Sequence, residues 1–559
     1  MYTQLPRCFS DMYINLQIFF ILGKVAMAAS FVRISALAWA DVLAAFAMYV
    51  MMNYLTNVWN LDTTHAAGII NIWNGITPAL AIVFAVLVDT FRGDRYMLAF
   101  SSIAYSIGLG LLSMSTPPVL GPCHDYNEQC IGHTQKVLFY IALPLISVGM
   151  AGHVVSLPPF VDLQTKSENE NENGRGAETE EGTKTLVQIP GLIILMVVMI
   201  AGGVGLSYIK PWSLRFGIPA IFSVVTTLLF FTGFLGYKPS KPEGSPLTTT
   251  LRVFVAAARK ISQPIPDNPE KLYKKEDARS TNSLRFLNKA AIKLPQGQEP
   301  TKWKVCSVQE VEDTKIGIRM LPMWLTFIVI GIVLSIGNTY FLEQADHMDR
   351  KLGNIKVSIP IFLMFFKATS STFAHLYSLF AAKKFAPPIG IATSMIFAIL
   401  CCVTASKVET RRLHRVRDDG LVDNPDASIP MSIFALLPQF MLLAAVDGIG
   451  NMSISGFFRH QTPEPMHKYL PHFTKGVFGL GSMASVLSVY VVGNHKPNWF
   501  QDTLNKSRLD RYYMVLAVLS AANLVVFVIV AYFYKYKEPP VGDSAEVESG
   551  EMDPGFEEK

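Results

Sequence analysis

Stretches of about twenty residues with little or no charge recur twelve times along this 559-residue chain, six on each side of a polar, basic segment at 237–317. A soluble chain scatters its apolar residues in shorter runs. The pattern therefore predicts membrane spans at 34–56, 66–90, 96–115, 135–160, 186–208, 214–236, 318–341, 357–380, 386–406, 429–453, 473–494 and 510–534. A bilayer leaves only helices or closed barrels, and these stretches are too uniformly apolar for alternating barrel strands. The expectation is an all-α membrane protein with twelve transmembrane helices in two six-helix bundles. It would comprise a lead at 1–33, an N-terminal bundle at 34–236, a cytoplasmic loop at 237–317, a C-terminal bundle at 318–536 and an acidic, disordered tail at 537–559.

Basic residues in short connections set the orientation. Arg92 and Arg95 follow the second span, Lys383 and Lys384 the eighth, and Arg459, Lys468 and Lys475 the tenth, which puts these loops and both termini in the cytoplasm. The run Lys407, Arg411, Arg412, Arg415 and Arg417 after the ninth span opposes that arrangement and is outvoted. In the central loop, Arg252 to Ser262 reads as an amphipathic helix whose basic face suits an anionic inner leaflet. The Glu/Asn/Gly-rich tract from Ser167 to Thr183 reads as disordered. Within the lead, the apolar patch Tyr13 to Ala29 is interrupted by Lys24 and lacks a clear cleavage signal. It is either a surface-lying amphipathic segment or foreign to the mature protein.

Half of the residues are apolar and 16% are charged, so lipid and other helices are the main surroundings. The net charge of +5 is small and the basic residues form no aromatic-interleaved patch, which argues against nucleic-acid binding. A glycine-rich phosphate loop with its lysine is missing, so ATP bound to this chain does not drive it, and the sequence offers no metal-ligand cluster and no cofactor site. Cys123 and Cys130 share one loop on the predicted non-cytoplasmic side, where a disulfide and two unpaired thiols are both open; Cys401 and Cys402 read as packing residues.

The segments Phe216-Gly-Ile-Pro-Ala-Ile and Pro242-Glu-Gly-Ser-Pro-Leu-Thr248 resemble the end of the sixth helix in the plant nitrate/peptide transporter branch of the proton-dependent oligopeptide transporters. Arg285-Phe-Leu-Asn-Lys-Ala-Ala291, Trp303-Lys-Val-Cys-Ser-Val-Gln-Glu-Val-Glu312, Arg319-Met-Leu-Pro-Met-Trp324, Met348-Asp-Arg350, Pro430-Met-Ser-Ile-Phe434 and Tyr532-Phe-Tyr-Lys-Tyr-Lys537 follow in the same order. The resemblance covers about Ala40 to Lys537. It implies the major facilitator fold, two six-helix bundles around a cavity that opens alternately to each side, in the plasma or vacuolar membrane. It also implies a small solute such as nitrate or a small peptide. Parallel repeats about a membrane-normal axis place such a site near mid-membrane. Asp89-Thr-Phe-Arg-Gly93 and Arg95 resemble the superfamily's gate motif, whose glycine permits a tight turn while its charges lock the inner gate.

Two departures concern the proton. The family's first-helix Glu-x-x-Glu-Arg cluster is missing, and Asp41 is the one acid near its place. In the fourth helix the family's Gly-Ile-Lys-Pro stretch corresponds to Gly152-His-Val-Val155, so Val154 replaces the lysine and His153 lies beside it. Proton coupling is accordingly expected to be weakened or altered, with Asp41, His153 and Asp447 as candidates; Asp447 stands where the family has a tenth-helix glutamate. A charge at mid-bilayer costs several kcal/mol unless partnered. Lys367 is thus either an anion site or the salt-bridge partner of Asp447, with His375 two turns nearer the cytoplasm. Tyr49, Asn53, Asn71, Trp73, Asn338 and Gln344 are candidates to line the pathway, and Trp73-x-Gly75 matches the family's second helix. Such residues also serve as helix ties and interface anchors.

The sequence reads as a secondary transporter of small anionic or zwitterionic solutes, not an enzyme. Its partners are the bilayer, the solute and protons. A channel-like uniporter and a transport-dead receptor or scaffold are the alternatives.

Overall fold

In the segment Trp212–Thr232, Phe216, Ala220, Ser223, Thr227 and Phe230 are buried while Leu214, Ile218, Ile221, Val225 and Leu228 are exposed. Both sets advance by three or four residues, so one stripe of the helix faces protein and the other faces lipid. The computed structural model describes residues 32–117, 119–120, 131–170, 197–198, 200–240, 244–264, 272–273, 281, 283–294, 303–379, 386–424 and 427–534. Its long helices are α1 (Val32–Asn57), α2 (Thr63–Phe91), α3 (Gly93–Met114), α4 (His133–Gln164), the end of α5 (Leu206–Tyr208), α6 (Trp212–Thr232), α7 (Ile328–His347), α8 (Pro360–Ser378), α9 (Pro387–Asp418), α10 (Ile433–Gln461), α11 (Glu464–His495) and α12 (Leu509–Phe533). Among the described residues ten are long and apolar enough to cross a bilayer. The span predicted at 186–208 is described only from residue 197, and α8 is made more polar by Lys367, Ser370, Ser371, Thr372 and His375. Cys123, Cys130, the lead before residue 32 and the acidic tail lie outside the described residues.

Three predicted boundaries move. The ninth span runs on to Asp418 instead of ending at 406, because Arg412 and Glu409 are both fully buried and pair at 2.7 Å. Arg412 also donates to Asn505 Oδ1 at 2.7 Å. Part of the basic run that opposed the topology is therefore an internal, neutralised pair on a helix, not a loop. The tenth span begins near Ile433, not 429, and runs to Gln461, so Arg459 sits in its last turn. The span predicted at 318–341 falls across three helical pieces. Val308–Thr326 precedes α7, and α7 itself breaks between Gly337 and Tyr340, within one continuous apolar run that hydropathy cannot divide.

Short strands finish one end of the C-terminal bundle. β1 (Met348–Asp349) pairs in parallel with β4 (Ile429–Ser432), while β2 (Lys351–Leu352) and β3 (Ile355–Lys356) form a hairpin around Gly353. Within the halves, α3 packs on α4 and α6, and α9 on α10 and α12; α2 crosses α11 between the halves.

On the face carrying the central loop, Pro246–Arg259 is a helix capped by Ser245, whose side chain accepts from Leu247 N at 3.3 Å. It starts six residues before the predicted Arg252, and its apolar side is not available to lipid. Val253, Ala256 and Ala257 pack on Leu287, Ala290, Ala291, Cys306 and Val311. Arg252 pairs with Glu310 at 3.1 Å, and Lys260 Nζ donates to the carbonyl of Ile292 at 2.7 Å. Burial in this small core pushes the Cys306 thiol up to about 11 and lowers Lys260 from the usual lysine range.

Candidate functional site

Asn338 lies at the break in α7, where the backbone turns aside between two helical pieces. The break borders a cavity of about 120 Å³ between the bundles, lined among others by Tyr49, Asn338, Lys367, Phe440 and Asp447. Asp447 accepts hydrogen bonds from Ser370 Oγ at 2.7 Å and Asn451 Nδ2 at 2.8 Å. The close crossing of α8 and α10 that allows the first needs Gly448, since a Cβ there would lie 2.2 Å from the Ser370 carbonyl oxygen.

Lys367 Nζ makes no ion pair or hydrogen bond among the described residues; it lies 5.4 Å from the centroid of the Phe366 ring. The salt bridge to Asp447 that the sequence left open is absent from this structure. A second ammonium, Lys475 of α11, lies within electrostatic range of both. The cavity thus has one lining cation, Lys367, beside one carboxylate that neutral donors already satisfy, with Lys475 nearby.

The N-terminal bundle holds a different arrangement. His153 Nδ1 meets Asp41 Oδ1 at 2.7 Å, and His153 Nε2 meets Ser102 Oγ at 2.8 Å. Tyr105 stands edge-on to the imidazole at 5.5 Å. His153 is buried, and Asp41 is partly open. With Nδ1–H directed at the carboxylate, a neutral imidazole accepts from Ser102 and a protonated one donates to it, so both charge states keep their bonds.

Contacts between the halves form on both sides of the cavity. On the central-loop face, Asp89 pairs with Lys468 at 2.7 Å and accepts from the Tyr469 hydroxyl. Gly93 has φ +69, and Asp94 N donates to Ser240 Oγ at 2.9 Å, while Arg95 Nη1 donates to the Tyr237 carbonyl at 3.2 Å. On the opposite face, Thr56 Oγ1 donates to Glu343 Oε2 at 3.0 Å and Asn57 Nδ2 to Asp346 Oδ2 at 2.6 Å.

The sequence profile of the POT family matches residues 95–495. This chain belongs to the POT family. Protein NRT1/PTR FAMILY 5.5 of Arabidopsis thaliana is 38% identical over 521 residues, which cover 89% of this chain and 96% of the relative. Protein NRT1/PTR FAMILY 5.6 of the same plant is 31% identical over 522 residues, covering 87% of each. Among solved structures, an auto-inhibited POT family peptide transporter superposes with a TM-score of 0.61 at 14% identity, covering 91% of this chain and 98% of that one. It carries the fold: twelve helices in the major facilitator arrangement. The protein is a multi-pass integral membrane transporter.

Other candidates in this POT-family chain fall elsewhere. Asn71 Nδ2 donates to Ser485 Oγ at 2.9 Å and ties α2 to α11. Trp73 Nε1 donates to the Leu143 carbonyl at 3.2 Å, a tie to α4. Gln344 is fully buried, donates to Glu409 Oε2 at 2.6 Å and accepts from Gln439. None of the three lines the cavity. Asn53 sits one turn from Tyr49 on α1, 4% exposed, and neither its Nδ2 nor its Oδ1 has a partner. Ser102, Ser370, Asn451 and Lys475 escaped the sequence reading of the site. The first three are commonplace inside membrane helices, and Lys475 was counted among loop cations.

Proposed function

We propose that this protein is a secondary transporter of small anionic or zwitterionic solutes, nitrate, a di- or tripeptide or a related metabolite, working by alternating access with altered proton coupling. The observation that carries the reading is the unpaired Lys367 ammonium facing a cavity between the bundles, beside an Asp447 already satisfied by Ser370 and Asn451. An uncompensated cation at mid-membrane is costly, and an anionic group of the solute offsets that cost. The Asp41–His153 pair takes the part of the missing acidic cluster: a proton arriving at the pair neutralises the carboxylate or charges the imidazole without loss of hydrogen bonds. The central-loop face is the cytoplasmic one, so Asp89, Lys468 and Tyr469 form the inner gate.

A broad uptake screen in oocytes at two external pH values tests this. Accumulation of at least one small anion or zwitterion above water-injected controls is expected, with greater uptake at the acidic pH. A surface-expressed protein that moves none of them contradicts the reading and favours a receptor role.

A further inference from the structure

On the face away from the central loop, a cleft of about 360 Å³ lies between the two bundles. It takes walls from α1, from the α5–α6 turn and from the segment that joins α7 to α8. Four cations border it, Lys210, Arg215, Arg350 and Lys356, against one carboxylate, Asp346. That carboxylate is already engaged by Arg350 at 3.2 Å and by Asn57 at 2.6 Å. Arg215 is held in place, with Nη2 donating to the Ile209 carbonyl at 2.8 Å and the guanidinium 4.1 Å from the Trp212 ring centroid. Lys210 and Lys356 are exposed and form no ion pair among the described residues.

A second feature points the same way. Asn53 borders this cleft and is buried, with both polar atoms of its amide unpartnered. A buried amide without partners costs about 1–3 kcal/mol, which a polar visitor offsets. Tyr49, Asn53 and Asn57 follow at four-residue intervals on one side of α1: Tyr49 lines the central cavity, Asn53 the cleft, and Asn57 the bond to Asp346.

We propose that this cleft is an anion-binding antechamber, which gathers small oxyanions or carboxylates at Lys210, Arg215, Arg350 and Lys356 and passes them by Asn53 toward Lys367. Charges of one sign between low-dielectric walls raise the local concentration of counter-ions. Opening the Thr56–Glu343 and Asn57–Asp346 contacts joins the cleft to the cavity. The purpose of the antechamber rests on the transport reading, but its measurement does not.

Trp212 borders the cleft and reports on it. The full chain in phosphatidylcholine nanodiscs is titrated with iodide, an anionic quencher, and separately with acrylamide, a neutral one; the signal of a Trp212→Phe variant is subtracted from each. In the Lys210→Gln/Lys356→Gln variant, iodide quenching of Trp212 is expected to fall about threefold at low ionic strength. The difference vanishes near 1 M salt, where the Debye length is about 3 Å. Acrylamide quenching stays the same, which shows the fold intact, and Lys367→Met leaves iodide quenching unchanged. Equal iodide quenching in the wild type and the double variant, or a salt-independent difference, overturns the antechamber and leaves transport to be judged by uptake. A preserved quenching difference without uptake of any solute removes the transport reading and leaves the anion site.

Discussion

In the N-terminal bundle an acid and a base meet at 2.7 Å, Asp41 against His153, with Ser102 closing the chain of bonds. In the C-terminal bundle Lys367 stands without a partner at the cavity wall, although Asp447 lines the same space. The difference follows from what else each carboxylate has been given. Ser370 and Asn451 satisfy Asp447 without neutralising it, so it does not draw in the lysine. Asp41 has the imidazole as its partner, a group that keeps its hydrogen bonds to Asp41 and Ser102 in either charge state. On the proposed reading, one half gains and loses a proton and the other keeps a fixed cation available to a solute.

A third group of charges shows what a purely structural pair looks like. Glu409 and Arg412 have no exposure at all and are joined by two hydrogen bonds at 2.7 and 2.8 Å. Gln344 and Asn505 complete the set, which lies away from the cavity. Removing one member leaves the other buried and uncompensated, at a cost of about 3–5 kcal/mol. Arg412→Ala is therefore expected to abolish most of the folded protein, and Glu409→Gln/Arg412→Met to restore part of it, as read by size-exclusion profiles of detergent extracts. Normal yield of Arg412→Ala would erase the distinction between this pair and the charges proposed to serve transport.

The next effect concerns proton use. Asp41→Asn retains a hydrogen-bond acceptor for His153 but removes the charge, so acid stimulation of uptake is expected to disappear while uptake at neutral pH persists. Uptake measured across external pH 5 to 8 decides, and an unaltered acid response would sink the Asp41–His153 pair as the coupling site. A smaller effect is expected at Trp73. Trp73→Phe loses one bond to the Leu143 carbonyl, worth about 1 kcal/mol, and should lower the melting temperature slightly without changing solute affinity. A clear drop in affinity would return Trp73 to the pathway.

The sequence disclosed the twelve-helix plan because lipid permits few alternatives to long apolar helices. Tyr49, Asn338, Lys367 and Asp447 stood out as polar residues inside such stretches, and the structure places them around one cavity. Asn71, Trp73 and Gln344 stood out by the same rule, yet they join helices. Hydropathy tells that a polar residue is inside a span but not which neighbour it faces. The Asp41–His153 contact spans 112 positions and no local pattern encodes it. Arg412 was misplaced for a legible reason: Glu409, three residues earlier, is its helical partner, and the charge run alone looked like a solvated loop.

The direct test of the contrast between the halves is surface-normalised solute affinity in Lys367→Met, alone and with Asp447→Asn. If Lys367 serves the solute, the single change weakens affinity by about tenfold or more at normal surface abundance, and adding Asp447→Asn does not restore it. Unchanged affinity in Lys367→Met, or a loss of abundance that the double change repairs, would contradict a cation held free for the solute.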